Sequence, residues 1–296
     1  DLDYVDGLRH YYRGAPDDAG SGVTVGVVDT GVGEHPDLVI AGGANTVVGE
    51  DPADYGDNGH GHGTHVAGIV AAAGHPPTGI RGVAPGVTLR SYRVFGQGSG
   101  QASSFAIAKA VDQAVADGCD LLNMSLGGGP PDPVLEAAIE DARAAGSVCI
   151  VAAGNNGRGP VSSPASDDMA LAVSALGRTG TFPDDATEVD TVVAPYGSDE
   201  AEFIADFSNV GPEMDLTGPG VGIISTVPGG YSAISGTSMA CPAVTGVAAR
   251  LLAASAVLGA GRDAARSEAI VRILLSSARD RGFPAPFEGQ GLPQPC

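Results

Sequence analysis

Cysteines and long apolar runs are scarce in this sequence. Four cysteines among 296 residues are too few for a disulfide-stapled scaffold. Cys119 and Cys149 begin two segments that we interpret below as neighbouring strands, so a bridge between them is the pairing to test. The longest nearly apolar run, residues 244–260, contains Arg250 and is shorter than the ~20 apolar residues of a membrane helix. We therefore expect neither a disulfide framework nor a membrane span.

Basic residues are also few. The formal net charge is -20, with 35 Asp and Glu residues against 15 Lys and Arg residues, and Lys109 is the sole lysine. Such a charge repels nucleic acids and anionic membrane surfaces, so we expect neither as a partner. An acidic surface favours general solubility, while adaptation to high salt and attraction of basic peptides are the alternatives.

The order of apolar segments predicts the fold class. Short apolar runs predict strands at residues 23–28, 88–94, 120–125, 148–152, 169–175, 214–217 and 222–226. Helical patterns lie between and after them, at residues 62–73, 103–116, 133–145, 237–254 and 264–277. We therefore predict one α/β domain spanning residues 1–296, with three layers and a mostly parallel central sheet covered by helices on both faces.

Two segments differ in composition from the rest of the chain. Residues 178–206 carry eight acidic residues and few apolar ones, which predicts a surface insertion. A solvated loop is the favoured interpretation, and a calcium site or a lid over a cleft are the alternatives. Residues 282–296 are rich in proline and glycine, which predicts an irregular tail on the surface.

Four polar residues lie where active sites gather in parallel sheets, at the carboxyl ends of strands. Asp29 ends the first predicted strand, and Asn155 follows the strand at residues 148–152. His62 and Ser238 each begin a predicted helix. The four therefore become candidates for a shared site.

Each of these residues also has an ordinary structural explanation. Asp29, Asn155 and Ser238 could be turn or cap residues. His62 could form a zinc cluster with His60 and His65, but the sequence offers no paired cysteines and no His-Glu-x-x-His motif. The joint occurrence of all four favours chemistry instead.

Nucleophilic catalysis by serine requires these residue types together. A serine hydroxyl needs an imidazole to accept its proton, and a buried carboxylate to orient that imidazole. Ser238, His62 and Asp29 can fill these roles. The attacked carbonyl develops negative charge, for which the amide of Asn155 and the backbone N–H of Ser238 are candidate donors.

Four sequence blocks resemble the signature motifs of the subtilisin family of serine proteases. They are Val-Asp-Thr-Gly at 28–31, His-Gly-Thr-His-Val-Ala-Gly at 62–68, Ala-Ala-Gly-Asn at 152–155 and Gly-Thr-Ser-Met-Ala at 236–240. Their order, Asp then His then Ser, is the subtilisin order. The resemblance runs from about residue 22 to residue 252. It implies a subtilisin-like fold and a serine endopeptidase with the triad Asp29, His62 and Ser238 and the oxyanion donor Asn155.

The resemblance also implies a cleft in which an extended peptide adds a strand between two backbone segments. The matching residues are Ser99, Gly100 and Gln101 on one side and Ser125, Leu126 and Gly127 on the other. The primary pocket would lie between residues 125–127 and residues 152–155, which include Ala152 and Gly154. Its small, uncharged walls favour a large apolar P1 residue, the residue on the acyl side of the cleaved bond. Ala102 stands where related enzymes often have an aromatic residue, which implies a roomier pocket for P4.

Calcium is the one ion that the resemblance implies. Asp37 matches a carboxylate ligand of the family's calcium loop, whereas residues 74–80 lack the asparagine of that loop. A structural calcium ion bound by Asp37 is therefore an expectation to test. Catalysis itself is expected to need no cofactor.

The expected partners are protein or peptide substrates, together with a propeptide or an inhibitor, and the expected state is a secreted, extracellular monomer formed from a zymogen. Two alternative functions use the same fold. One is transfer of the acyl group to an amine, which requires water to be excluded from the cleft. The other is a catalytically inactive binding module, which would lack a triad residue or the oxyanion donor.

Overall fold

Eight strands form one central sheet in the computed structural model, which describes residues 6–295. The strands of the chain are β1 Thr24–Asp29, β2 Ile40–Asn45, β3 Thr88–Arg93, β4 Leu121–Met124, β5 Val148–Ala152, β6 Leu171–Arg178, β7 Glu202–Ile204, β8 Met214–Pro219, β9 Ile223–Val227, β10 Gly230–Ile234, β11 Ala278–Arg279 and β12 Leu292–Pro293. The central sheet has the order β2-β3-β1-β4-β5-β6-β7, and β8 also pairs with β6. All of its pairs are parallel except β6 with β7. β9 with β10 and β11 with β12 form two small antiparallel pairs.

Helices cover both faces of the central sheet. They are α1 Gly7–Tyr12, α2 His62–Ala71, α3 Ser104–Ala116, α4 Pro133–Ala144, α5 Thr237–Ala253, α6 Ala264–Ser277 and α7 Ala285–Glu288. One core cluster contains the buried side chains of α2, α5 and α6, and the other contains those of α3 and α4. The prediction of a three-layer α/β fold with a mostly parallel sheet is confirmed.

The central strands supply both clusters because successive side chains point to opposite faces. In β5, Val148 and Ile150 belong to the cluster with α2 and α5, whereas Cys149 and Val151 belong to the cluster with α3 and α4. Burial on both faces explains why these strands are nearly continuous apolar runs in the sequence.

The helix N-termini differ in a way that bears on the site. The outer helices α3 and α4 begin at side-chain caps, where Ser103 accepts from Ala106 N–H and Asp132 accepts from Val134 N–H. The helices α2 and α5 begin instead at Gly61 and Gly236, which have no capping side chain. The backbone N–H groups in the first turn of α2 and α5 have no intrahelical acceptor, and no side chain of a cap residue accepts a hydrogen bond from them.

Several short elements of the structure were not predicted from the sequence, among them α1, β2 and β10. β2 has the sequence Ile-Ala-Gly-Gly-Ala-Asn, which lacks the apolar pattern of a buried strand, and it lies at the sheet edge. α1 has six residues, and β10 is largely half-buried. Edge and short elements such as these depend on tertiary contacts more than on local sequence.

The prediction of a surface insertion at residues 178–206 is wrong in part. Glu202, Phe203 and Ile204 are fully buried in β7 of the central sheet, and Phe182 is also buried. Glu202 is tolerated there because its carboxylate accepts hydrogen bonds from Tyr11 and Arg281. Most of the other residues between 183 and 201 are exposed or half-buried and include a short 3-10 helix, Thr187–Thr191.

The tail and the cysteines also need correction. Residues 282–295 include α7 and β12, and Phe283 and Leu292 are buried, so this tail is neither irregular throughout nor confined to the surface. Cys119 and Cys149 are free, buried thiols. Because Cys149 is in register with Leu122, three residues beyond Cys119, the two Cα atoms are about 10 Å apart along the sheet, beyond disulfide reach. Cys296 lies outside the described residues.

Candidate active site

Asp29 is the last residue of β1 and is completely buried. One carboxylate oxygen, Oδ1, accepts hydrogen bonds from the Thr30 backbone N–H and from Nδ1 of His62, each at 2.7 Å. The other oxygen, Oδ2, is buried without a hydrogen-bond partner among the described residues. A buried carboxylate so sparsely solvated strongly favours positive charge on the neighbouring imidazole.

His62 is the first residue of α2, and close backbone contacts place it beside Asp29. A Cβ atom on Gly63 would lie 2.3 Å from the carbonyl oxygen of Gly31, so only glycine allows this approach of the helix to the end of β1. The Gly63 N–H also donates to Oγ1 of Thr30 at 2.8 Å. The start of α2 is therefore fixed against β1 by packing and by hydrogen bonding.

The hydrogen bond to Asp29 fixes the protonation pattern of the imidazole. Donation from Nδ1 leaves Nε2 of His62 as the acceptor nitrogen in the neutral form. Burial by itself lowers the pKa of His62, but the charge and the hydrogen bond of Asp29 outweigh it, so the pKa lies above its ordinary value. The side chain is 31% exposed, which leaves it accessible to a substrate.

Ser238 lies in the first turn of α5 and is tied to the end of β4. Its hydroxyl donates to the Ser125 carbonyl oxygen at 3.3 Å, and the Ser125 hydroxyl donates to the Ser238 carbonyl oxygen at 2.8 Å. The Ser125 hydroxyl in turn accepts a hydrogen bond from the amide of Asn123 at 3.0 Å. The backbone of the serine is thus held, while its hydroxyl makes one long hydrogen bond within the described part of the chain.

Asn155 follows β5, and its side chain is oriented by Thr237. Its Oδ1 accepts from the Thr237 backbone N–H at 2.9 Å and from the Thr237 hydroxyl at 3.0 Å. Because Oδ1 is occupied twice by the residue before Ser238, the amide nitrogen is the end that remains for a ligand. Gly154 has φ +107, and a Cβ there would lie 2.4 Å from Nδ2 of Asn209, so this turn requires glycine.

One cavity of about 320 Å³ joins Ser238 and Asn155 to the predicted primary pocket. It is lined by Phe95, Gly100, Ser125, Leu126, Gly127, Ala152, Gly154, Asn155, Asn156, Ser162, Thr237 and Ser238. The lining contains no charged side chain. The structure thus gathers residues 125–127 and 152–155, which are far apart in sequence, around one uncharged cavity.

Two further cavities adjoin this one and share Phe95 and Gly100 with it. A cavity of about 390 Å³ is lined by Thr30, His60, His62, Phe95, Gly100, Ser125 and Ile234. A cavity of about 480 Å³ includes Ala102, Ile107, Leu126, Asp132 and Leu135 in its lining. The predicted edge residues Ser99, Gly100 and Gln101 are exposed or half-buried. Gly100 borders all three cavities, and Gln101 borders the largest of them.

The zinc alternative finds no support in the geometry. His65 is fully buried, and its Nε2 lies 3.0 Å from the carbonyl oxygens of both Ile223 and Ser232. Burial lowers the pKa of His65 to about 4, so it is a neutral core residue. Among residues 6–295, no group of three His, Cys, Asp or Glu side chains is placed to hold a metal ion.

Protein donors bind Asp37, the expected calcium ligand. Its Oδ2 accepts hydrogen bonds from the Ile80 backbone N–H and from the Tyr231 hydroxyl, each at 2.9 Å. A Cβ on Gly74 would lie 2.4 Å from the carboxyl carbon of Asp37, so the loop at residues 74–80 packs directly on this side chain. Hydrogen-bond donors therefore occupy one of the two oxygens, Oδ2, of the carboxylate that the expected calcium site would use.

Several residues of the site were not identified from the sequence. Thr237 belongs to the motif at residues 236–240, but the motif does not indicate that this residue orients Asn155. Asn209 donates from Nδ2 to the Ala153 carbonyl oxygen at 3.2 Å and to the Ser162 hydroxyl at 2.9 Å, and so supports the cavity wall. Nothing in the local sequence around Asn209 indicates this role, because its partners are about 50 residues away.

Comparisons with known proteins agree with this geometry. A family model described as the subtilase family matches residues 20–292. Subtilisin DY from Bacillus licheniformis is 38% identical over 275 residues, which is 92% of this chain and 89% of subtilisin DY. Subtilisin Savinase from Lederbergia lenta is 40% identical over 232 residues, or 78% of this chain and 76% of that protein. M-protease from Shouchella clausii is 41% identical over 232 residues, and the match covers 78% of this chain but 54% of M-protease.

Solved structures show the same likeness. Sphericase superposes with a TM-score of 0.79 at 29% identity, covering 98% of both chains. The S41 psychrophilic protease gives the same TM-score, identity and coverage. Among residues 6–295, no helix is both long and apolar enough to cross a membrane.

Proposed function

Since the chain belongs to the subtilase family and is a serine endopeptidase, we propose that it hydrolyses peptide bonds through an acyl-enzyme on Ser238. The observation that carries this proposal is the 2.7 Å hydrogen bond from His62 to the buried Asp29, made beside the cleft onto which Ser238 and Asn155 open. The arrangement joins a base, its orienting carboxylate, a nucleophile and an oxyanion donor.

Acylation begins when Nε2 of His62 accepts the hydroxyl proton of Ser238. For this transfer the Ser238 hydroxyl must first leave its 3.3 Å hydrogen bond to the Ser125 carbonyl oxygen, which is long and easily exchanged. The hydrogen bond from Ser238 to His62 forms in its place when substrate binds, since catalytic hydrogen bonds commonly tighten at that stage. Oγ attacks the substrate carbonyl carbon, the imidazolium returns its proton to the leaving amine, and water attacks the acyl-enzyme with His62 again as base.

The negative charge that develops on the attacked carbonyl oxygen is stabilised by two donors. One is the Asn155 amide, whose oxygen end is held by Thr237, and the other is the backbone N–H of Ser238 in the first turn of α5. Both donors are fixed before the reaction, so little reorganisation is needed when charge appears. The N-terminal end of the helix dipole adds to the same effect.

The cavities support a preference for apolar side chains. The uncharged cavity of about 320 Å³ beside Ser238 accepts a large apolar P1 residue. The adjoining cavity of about 480 Å³ is also lined by Asp132, but Ala102, Ile107 and Leu135 give it an apolar part that suits an apolar P4 residue. The backbone of the peptide pairs between Ser99, Gly100 and Gln101 on one side and residues 125–127 on the other.

The remaining parts of the proposal rest on the family resemblance. We place the enzyme in the extracellular space as a monomer that matures from a zymogen and can meet a propeptide or protein inhibitor. No residue of the mechanism calls for a metal ion or an organic cofactor.

Turnover of a defined peptide tests this proposal. The protein should convert a blocked tetrapeptide with phenylalanine at P1 into two products whose masses include one added water. Ser238→Ala should keep the fold, measured by circular dichroism, and lose nearly all turnover. Activity of Ser238→Ala at the wild-type rate would contradict the proposal, and a product joined to an added amine would indicate acyl transfer instead of hydrolysis.

A further inference from the structure

The substrate edge at residues 99–101 is attached to a short loop whose own backbone contacts are a turn, with Ser99 N–H donating to the Gly96 carbonyl oxygen at 2.9 Å, and an isolated bridge between Phe95 and Ala102. Residues 95–99, hereafter the 95–99 segment, lie outside the regular strands and have glycine at positions 96 and 98. Gly98 has φ +64, a conformation that favours glycine. Such a chain loses much conformational entropy when it is ordered, so its position must be imposed by other groups.

Asn58 holds the segment from one side. It is completely buried, and its Nδ2 donates to the carbonyl oxygens of Gly96 and Ser99, each at 3.0 Å. The Gly98 backbone N–H donates to the carbonyl oxygen of Asn58 at 2.9 Å. The side chain and the backbone carbonyl of Asn58 thus form hydrogen bonds with three of the five residues of the segment.

Arg93 and Glu50 hold the segment from the other side. Arg93 is only 1% exposed, and its guanidinium donates to the Phe95 carbonyl oxygen at 3.1 Å and to the Gln97 side chain at 3.2 Å. Glu50 pairs with Arg93 at 2.8 Å and accepts from the Gln97 backbone N–H at 2.8 Å. Hydrogen bonds from Asn45 and Gln97 lower the pKa of Glu50, so the pair stays charged at neutral pH.

A buried guanidinium with several directional bonds is a costly way to fix a surface loop. Burying an arginine is favourable only when its donors are satisfied, and replacing such a network by apolar residues is often no less stable. The network therefore indicates that the 95–99 segment needs a fixed position and not merely a stable one. The segment ends at Ser99, the first residue of the edge at 99–101 that the proposed function assigns to substrate pairing.

We propose that Asn58 and Arg93 are positioning residues that hold the 95–99 segment as a preformed edge for the substrate backbone. This inference rests on the proposed function. Because the edge is already ordered, a peptide that binds to it does not lose affinity to the entropy cost of ordering the loop. This gain in affinity applies only to substrates with residues upstream of P1, which pair with the edge. A substrate with no upstream residue does not pair with this edge and gains nothing from it.

Two substrates separate positioning from general damage. One is a blocked tetrapeptide anilide with phenylalanine at P1, and the other is a blocked phenylalanine ester with no upstream residue. Asn58→Ala should lower kcat/KM on the tetrapeptide roughly tenfold, the cost of one or two net hydrogen bonds, and leave the ester within about twofold. The ester also controls for the turn before His62, since Asn58 accepts a hydrogen bond from His60 N–H at 3.1 Å.

Arg93 provides an independent variant that does not touch this turn. Arg93→Met should also lower kcat/KM on the tetrapeptide selectively, and Arg93→Lys should fall between it and the wild type because lysine keeps the charge but not the fork of donors. Ser267→Ala is the matched control, because it removes a buried hydroxyl that donates to the Arg143 carbonyl oxygen at 2.7 Å in the packing of α6 on α4. Ser267→Ala should leave kcat/KM on both substrates unchanged.

Hydrogen exchange tests the same proposal without turnover. The acceptors of the Gln97 and Gly98 amides, the Glu50 carboxylate and the backbone carbonyl of residue 58, remain in Asn58→Ala and Arg93→Met, so exchange at these amides reports how firmly the segment is held. Both amides should exchange at least about tenfold faster in the two variants than in the wild type. Equal losses on both substrates, or unchanged exchange at these amides, would overturn the positioning role. A wild-type protein that turned over neither substrate would refute the proposed function, and the exchange result alone would then decide whether the segment is held.

Discussion

The hydroxyl of Thr237 offers a test of how the oxyanion donor is oriented. It donates to Oδ1 of Asn155 at 3.0 Å and accepts from the Gly154 backbone N–H at 3.2 Å, in a fully buried position. Thr237→Val keeps the shape and removes both hydrogen bonds. The backbone N–H of residue 237 still binds Asn155, so the amide is loosened and not released.

The expected magnitude follows from the bonds lost. One net hydrogen bond is worth about 1 kcal/mol, which corresponds to a fall of about fivefold in kcat when it orients a group in the transition state. The Gly154 N–H left without an acceptor costs stability in addition, about 1–3 kcal/mol, and should lower the Tm by several degrees. Thr237→Ser keeps the hydroxyl and should stay within about twofold of the wild-type kcat.

The assay is a double-mutant cycle on a tetrapeptide anilide under saturating substrate. If Thr237 acts through Asn155, Thr237→Val should have little effect on kcat in an Asn155→Leu background. Equal losses for the valine and serine variants, or a fivefold loss that persists in Asn155→Leu, would refute the orienting role of the hydroxyl.

Two further predictions concern protonation and calcium. The pKa of His62 is raised because the charge and hydrogen bond of Asp29 outweigh the effect of burial. Since protonated His62 cannot act as a base, kcat/KM should fall as the pH drops through a midpoint above the ordinary histidine pKa. A pH profile with its acid limb near pH 4 would contradict this. Chelation should leave the Tm unchanged, because protein donors already bind Oδ2 of Asp37, whereas Tyr231→Phe should destabilise the fold by about 1 kcal/mol in thermal unfolding. A large fall in Tm on chelation would favour the expected calcium site instead.

The central fold could be predicted because its strands are buried on both faces. Runs such as Val148–Ala152 are apolar throughout, and only a parallel sheet between two helical layers buries such runs on both sides. The buried part of residues 178–206 could not be predicted in this way. Glu202 looks like a surface residue in the sequence, and its burial depends on Arg281, which lies about 80 residues further along the chain.

The candidate site shows the same division. Asp29, His62, Asn155 and Ser238 are each located by a local motif, and the structure brings them to one edge of the sheet. The residues that orient or support them have no such local signal, as Asn209 illustrates, because their partners are set by packing of distant segments. The reacting groups could therefore be predicted from the sequence, whereas the residues that orient them could not.

Covalent labelling of the nucleophile tests the proposed mechanism most directly. The folded protein would be incubated with a fluorophosphonate, its intact mass measured and the labelled peptide mapped. The proposed triad requires one adduct, on Ser238, with loss of peptidase activity and no adduct on Ser238→Ala. The absence of an adduct on folded protein, or an adduct on another residue, would contradict the assignment of Ser238 as nucleophile.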